Sequence, residues 1–259
     1  MVYACKGRYS LFLTSAEWLR MLVAMPKPHV KDAIAPIVVQ IPSLMQRYDE
    51  VIACHALPPE VDTGVYDMEA LHNKVLQLEH TLDEWMKNFL KTRTVWKPFS
   101  MTEAKLWWIS TSVAQTNEIF TAPLDFATHS IAEVSMIFFT SKLQLAILLT
   151  DIEHFLGSAE SDKSRDKATE FANQICQGGT YWIRSSACAE ALISCFSFPL
   201  RVAAEWFERI GCDREIEGCI ALSDSMKAYQ RFGFTAEHLV SGIYGSLPSR
   251  VREAGLSKL

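Results

Sequence analysis

The chain has 259 residues, 49% of them hydrophobic and 21% charged, which is the composition of a globular protein with a large core. Its formal net charge of -5 argues against an overall positive field that would attract nucleic acid. The densest local basic run, residues 163–167, is interrupted by Asp166 and is expected to lie in a solvated loop. A chain of this length forms one large domain or two small ones.

Apolar residues recur at helical spacing through nearly the whole chain. The clearest set comprises Leu71, Val75, Leu78, Leu82, Trp85 and Phe89. Helices are predicted at about 16–25, 31–53 with interruptions at Pro36 and Pro42, 67–90, 102–120, 127–156, 162–190, 199–211, 214–231 and 235–245. Strand signals are weak, because the single β-branched run, "PIVVQI", lies between prolines. The pattern predicts an all-α fold, a single multi-helix bundle of about 8–10 helices with an apolar internal cavity.

Residues 1–15 are predicted to be a flexible N-terminus, followed by a single all-helical domain over residues 16–259. The apolar run near the start is too short for a signal peptide and follows Lys6 and Arg8. The loop at 157–165 is not expected to separate two domains, since the helices on either side are both strongly apolar.

The most apolar stretch of the chain covers residues 131–150. It carries Glu133, Lys142 and Gln144, which are costly inside a bilayer. We therefore predict a buried core helix here and no membrane span.

Seven cysteines are scattered along the chain, most of them in apolar stretches. No C-x-x-C motif occurs, so their spacing does not indicate a zinc cluster. Reduced, mostly buried thiols are typical of a cytosolic or nuclear protein. We predict a cytoplasmic location, or a nuclear one if the protein is a regulator.

The sequence motifs of several enzyme classes are missing. The chain has no glycine-rich phosphate loop, no G-x-S-x-G, no H-E-x-x-H and no aspartate-rich metal motif. Its seven histidines are spread out, and no two are four residues apart. We therefore expect neither a metal nor a cofactor.

Aromatic residues are dense on the apolar helices, and two interpretations stay open: core packing, or the wall of a small-molecule cavity with a few convergent polar groups. Under the second interpretation, the predicted substrate-binding residues are Trp108, Thr111, Phe138, Gly178, Gly179, Tyr181 and Trp182. The predicted catalytic residues, which would donate hydrogen bonds to a substrate oxygen, are Arg184, His129 and Gln115. For Arg184 the alternative is a salt bridge to Glu170, Glu190 or Glu205.

Two adjacent glycines, Gly178 and Gly179, lie inside a predicted buried helix, where each costs roughly 1 kcal/mol relative to alanine. They could allow close approach of a neighbouring helix, bend the helix, or leave room for a ligand. If a ligand uses the space, Gly178→Ser or Gly179→Val should be tolerated in folding and should change ligand handling.

Several stretches of the C-terminal half resemble one protein family. They are "FANQIC" at 171–176, "YW" at 181–182, "FPLRVAAEWF" at 198–207 and "DREIEGCIALSDSMKAYQRFGF" at 213–234. Together they resemble the C-terminal regulatory domain of fungal Zn2Cys6 transcription factors, over about residues 18–245. The resemblance implies an all-helical domain and, as in many members, the sensing of small molecules.

The chain departs from that family in having no six-cysteine zinc cluster and no basic arm before the helical region. Without them, DNA contact lacks its positioning charges and its reading element. One hypothesis is a cofactor-independent fungal secondary-metabolite enzyme of the cyclase type, which catalyses an intramolecular Diels–Alder reaction or an isomerisation of an apolar terpenoid or polyketide. The alternative is a small-molecule-binding or dimerising regulator, with a homodimer as its expected form and no direct contact with nucleic acid.

Overall fold

A computed structural model describes residues 30–55, 67–90, 96–98, 118–184 and 196–229. Over these residues the chain is almost entirely helical, which confirms the predicted all-α class. The elements are α1 (Val30–Val38), α2 (Ile41–His55), α3 (Met68–Leu90), β1 (Trp96–Pro98), β2 (Leu124–Phe126), α4 (His129–Phe155), α5 (Ser161–Arg184), α6 (Ser197–Ile210) and α7 (Asp213–Tyr229).

The chain divides into two compact units. Unit 1 comprises residues 1–95 and 141–169, and unit 2 comprises residues 96–140 and 170–259. The boundaries fall inside α4 and α5, so each of these helices contributes residues to both units. The predicted flexible segment 1–15 lies outside the described residues, and the single domain over 16–259 stays a prediction.

In unit 1, α1 and α2 both pack against α3. The face of α3 that carries Leu71, Val75, Leu78 and Leu82 is buried, as its spacing predicts. The second half of α4 places a buried lysine, Lys142, against the same helix. Its Nζ lies 2.8 Å from Glu79 Oε1 and 2.8 Å from a carboxylate oxygen of Asp83.

In unit 2, α6 packs against α7, and a short antiparallel ribbon joins β1 to β2. The ribbon pairs Trp96 with Phe126 and Pro98 with Leu124. This ribbon was not predicted, because three residues are too few to show the alternation by which strands are recognised. The largest fully buried side chains of this unit include Trp182, Phe196 and Trp206.

Side-chain caps and glycines fix where the long helices begin and end. Asp67 Oδ1 accepts hydrogen bonds from the backbone N–H groups of Glu69 and Ala70 at the start of α3. Gly157 and Gly211 have φ values of +66° and +73°, and each follows the end of a helix. The N–H of Gly211 donates to the carbonyl of Glu208, which satisfies one of the last carbonyl groups of α6.

The described helices agree with the predicted ranges to within a few residues where the two can be compared, and residues 185–190 of the predicted helix lie outside the described residues. Interruptions were expected at Pro36 and Pro42, yet α1 continues through Pro36, and Pro42 lies in the first turn of α2, so the break falls at residues 39–40 instead. The basic run 163–167, expected in a loop, lies in α5. The expected helices at 16–25 and 235–245 lie outside the described residues, as does nearly all of 102–120.

Helix α4 is the one described helix that is long and apolar enough to cross a membrane by length and composition. Within its most apolar 18-residue window, 89% of the residues are buried inside the protein. A buried core helix passes the same test, so this finding does not show a membrane span.

Candidate functional site

Five aromatic rings in unit 2 form a connected group, which we call the aromatic cluster: Phe126, His129, Tyr181, Trp182 and Phe196. The rings of His129 and Trp182 meet edge to face with centroids 4.8 Å apart. Phe126 meets Tyr181 in the same way at 5.1 Å, and Trp182 stacks on Phe196 at 6.5 Å with an interplanar angle of 16°. These are the offset and edge-to-face arrangements that aromatic pairs prefer.

The helical repeat of α5 places Ile175, Gly178, Gly179 and Trp182 on its buried face. The helix is continuous through the two glycines. A Cβ added at Gly178 would lie 2.6 Å from Met136 Cε, at the tip of a flexible side chain, and 3.5 Å from the ring of Phe126. Met136 therefore occupies the space that a side chain at Gly178 would need.

The space beside Gly179 is more crowded. A Cβ added there would lie 2.7 Å and 3.1 Å from the two methyl carbons of Leu222, and 3.0 Å from Phe196 Cζ. Neighbouring side chains fill the room next to both glycines, which favours the close-approach explanation over the other two. The expectation that Gly179→Val would be tolerated in folding does not fit this packing, because three atoms would have to move at once.

One polar atom in the cluster lacks a partner. Trp182 is completely buried, and its indole Nε1 has no hydrogen-bond acceptor among the described residues. A buried donor without an acceptor typically costs about 1–3 kcal/mol. Native proteins rarely leave such a group unsatisfied, so this N–H is a candidate donor to a bound acceptor.

His129 lies at the edge of the cluster and, like Tyr181, is partly exposed to solvent. Its side chain is 34% exposed, whereas that of Glu133, one helical turn further along α4, is 10% exposed. His129 Nε2 and Glu133 Oε1 are 3.6 Å apart. A carboxylate beside an imidazole can orient the ring and stabilise its protonated form, which suits a group that donates a proton or a hydrogen bond.

The structure brings together five of the predicted site residues: His129, Gly178, Gly179, Tyr181 and Trp182. Trp108, Thr111 and Gln115 lie outside the described residues, and Arg184 ends α5 with a side chain that is not described.

Phe138 is not brought into the cluster. It follows His129 by nine residues, which is about two and a half helical turns, so the two side chains lie on opposite faces of α4. Its ring contacts among the described residues are with Phe139 at 5.9 Å and Phe171 at 6.3 Å between centroids.

Sequence reasoning did not assign Phe126, Phe196 or Glu133 to the site. Glu133 could have been found, because it follows His129 by four residues and so shares its helix face. The two phenylalanines could not, because only the three-dimensional packing places β2 and the start of α6 against α5.

Behind the cluster, α5 contacts α7 through two thiols. Cys176 Sγ and Cys219 Sγ are 3.6 Å apart, and both residues are buried. Burial raises the pKa of the Cys176 thiol well above its ordinary value of 9.0, and the neighbouring Cys219 raises it further. A protonated, enclosed thiol is a poor nucleophile, so this pair contributes packing to unit 2.

Within the described ranges, no three His, Cys, Asp or Glu side chains lie close enough together to hold a metal ion. No family model, curated protein or solved structure matches the chain. The resemblance to fungal regulatory domains therefore stays a prediction from the sequence.

Proposed function

We propose that the aromatic cluster binds a small, mostly apolar molecule through an oxygen atom that accepts a hydrogen bond from Trp182 Nε1. The observation that carries this proposal is the buried indole N–H without an acceptor. A ligand oxygen would satisfy it, and the surrounding rings would supply apolar contact. Trp182 then fixes the orientation of the ligand, while Phe126, Tyr181 and Phe196 set its shape.

The chemistry that we propose for the bound molecule is a cyclisation or isomerisation without cofactor, such as an intramolecular Diels–Alder reaction of a terpenoid or polyketide. A hydrogen bond from Trp182 to a substrate carbonyl would withdraw electron density and stabilise the transition state. His129, backed by Glu133, offers a second donor at the solvent edge. Holding a flexible chain in its reactive conformation supplies the rest of the rate enhancement.

The second candidate function is a regulator that binds the same kind of molecule without converting it. It is favoured by the tight packing at Gly178 and Gly179, since a ligand that enters here must displace Met136 or Leu222. The tip of Met136 can move aside by itself, but displacement of Leu222 would shift α7, and ligand binding would thereby change the shape of unit 2. Such a regulator would act as a homodimer or through a partner protein, in the cytoplasm or the nucleus.

The binding proposal is tested with benzophenone, an apolar ketone, and diphenylmethane, which has nearly the same shape without the oxygen. We expect benzophenone to bind about tenfold more tightly, because one buried hydrogen bond is worth about 1–1.5 kcal/mol. Trp182→Phe should abolish this difference, and Trp206→Phe, which alters another buried tryptophan of unit 2, should preserve it. Equal binding of the two probes by the native protein would contradict the proposal.

Turnover separates the two candidate functions. A linear trienone that cyclises slowly in buffer is incubated with the native protein, with His129→Phe and with Glu133→Gln. The enzyme proposal requires a faster reaction or a changed product ratio with the native protein, and a loss of that effect in His129→Phe. If a protein that binds benzophenone leaves both rate and ratio unchanged, the regulator is favoured. A mobility shift of promoter DNA by this chain would contradict the expectation that it does not contact nucleic acid.

A further inference from the structure

A groove of about 510 Å³ lies in unit 1, between the turn into α2 and one face of α3. Helix α3 lines it with Lys74, Gln77, Leu78 and Thr81. These positions are separated by three and four residues, so they form one continuous face of the helix. The opposite wall comes from Gln40, Ser43 and Leu44.

Among the described residues that line the groove there are one cation and several polar groups, and none of these residues is acidic. Lys74 is exposed and forms no ion pair or hydrogen bond with another described residue. Two other described lysines differ in this respect, since Lys87 contacts Glu84, and Lys142 contacts Glu79. The positive charge of Lys74 is therefore available to a ligand.

Two further groups in the groove can donate to the same ligand. The Ser43 hydroxyl and the Gln77 side-chain amide have no hydrogen-bond partner among the described residues. Thr81 differs, because its hydroxyl already donates to the backbone carbonyl of Gln77 at 2.8 Å. Three unused donors, one of them charged, suit a ligand with two neighbouring acceptor oxygens.

Leu44 and Leu78 give the groove an apolar floor, and Leu78 is buried. An inorganic anion would use the donors alone, whereas a molecule with a hydrocarbon body would also cover the leucines. The volume falls within the range of small-molecule sites. We propose that this groove binds a small amphipathic carboxylate, with its carboxylate on Lys74 and its apolar body along Leu44 and Leu78.

The probe for this proposal is octanoate, and octylammonium and inorganic phosphate serve as comparison ligands. Titration is followed by the ¹³C-methyl resonances of Leu44 and Leu78, assigned by substitution. Octanoate should shift both sets of resonances and saturate. Octylammonium should bind less well because Lys74 repels it, and phosphate should leave the methyl resonances unchanged because it has no apolar part.

The matched variants are Lys74→Gln and Lys87→Gln, both at exposed positions of α3 where folding does not depend on the charge. Lys74→Gln should weaken octanoate binding about threefold to fivefold, the effect of one partly exposed ion pair, while Lys87→Gln should leave it unchanged. The proposal is wrong if Lys74→Gln binds octanoate as well as the native chain does. It is equally wrong if octylammonium binds as tightly, or if only resonances outside the groove respond.

Discussion

Among the described residues, each unit buries one long cationic side chain, and the two are held differently. Lys142 of unit 1 is 4% exposed and contacts Glu79, whose side chain is 8% exposed. Arg201 of unit 2 is also buried, but Glu205, the carboxylate 3.5 Å from its Nε, is 44% exposed. Arg201 Nε makes no hydrogen bond with a described residue, and its guanidinium lies 5.6 Å from the centre of the Phe198 ring.

The comparison shows that the burial of the partner decides the cost of losing a buried cation. Removing Lys142 would leave a carboxylate enclosed in the protein with its main counter-charge gone. Removing Arg201 would leave a carboxylate that water already reaches. The buried cation of unit 1 thus links α4 to α3 through an ion pair, whereas the buried cation of unit 2 lies near a carboxylate of its own helix, α6.

The largest effect is expected for Lys142→Met. It should lower the free energy of unfolding by about 3–5 kcal/mol, because the buried carboxyl group of Glu79 loses its nearest counter-charge. Lys167, whose Nζ lies 3.6 Å from Glu79 Oε1, should keep the loss near the lower end of this range. Urea denaturation followed by circular dichroism measures the change.

The double variant Lys142→Met/Glu79→Leu tests the reason for that loss. Since it removes both buried charges, it should be clearly more stable than Lys142→Met alone. Lys87→Met, which breaks an exposed pair with Glu84, should change stability by less than about 0.5 kcal/mol. A double variant no more stable than the single one would show that the ion pair is not what holds this part of unit 1.

Unit 2 is tested by Gly179→Ala. We expect a net loss of about 1–2 kcal/mol, because overpacking against Leu222 and Phe196 outweighs the gain in helix propensity. Gly178→Ala should instead be neutral or stabilising by up to about 1 kcal/mol, since the tip of Met136 can move aside. Thermal unfolding of the two variants gives the comparison, and the opposite order would contradict the packing described at these positions.

The pH dependence of unit 2 follows from Cys176. Its pKa is raised in the folded protein, so below the ordinary thiol value of 9.0 the group contributes fully to stability. As the pH rises above that value, the unfolded thiol ionises while the buried one stays protonated. Stability should then fall by at most about 1.4 kcal/mol per pH unit. Urea titrations between pH 8 and 10 should show that the stability of Cys176→Ala declines less steeply with pH than that of the native protein. An identical decline in the two proteins would show that Cys176 does not cause it.

A much smaller effect than that of Lys142→Met is expected for Arg201→Met, its counterpart in unit 2. Methionine replaces much of the volume of the side chain, and Glu205 stays solvated. The free energy of unfolding should change by less than about 1 kcal/mol. A loss as large as that of Lys142→Met would abolish the distinction between the two units.

The sequence predicts the helices well and the site only in part. Helix α3 could be placed because its apolar face repeats regularly and Asp67 marks its start. Tyr181 and Trp182 could be selected as a pair because they adjoin on an apolar helix. The unsatisfied donor at Trp182 could not be predicted, since it depends on which atoms of other elements surround the indole.

The groove in unit 1 shows the same limit. The sequence pattern predicts ordinary solvent-exposed positions, beside the buried face of α3, for Lys74, Gln77 and Thr81. What makes them a candidate site is the opposite wall at Ser43 and Leu44, which a helical pattern does not reveal. The gap between two helices is a property of their packing and leaves no periodicity in either one.

The described glycines also show that one residue type can be required for opposite reasons. At Gly178 and Gly179 the helical backbone suits L-residues, but a side chain would meet Met136 at the first position and Leu222 and Phe196 at the second. At Gly157 and Gly211 nothing lies within 4 Å of an added Cβ, yet the positive φ disfavours L-residues. Chirality separates the two cases: a D-alanine introduced by chemical ligation should suit the helix ends and disrupt α5. Gly157 and Gly211 are thus required because the glycine backbone has no handedness, and Gly178 and Gly179 because glycine has no side chain.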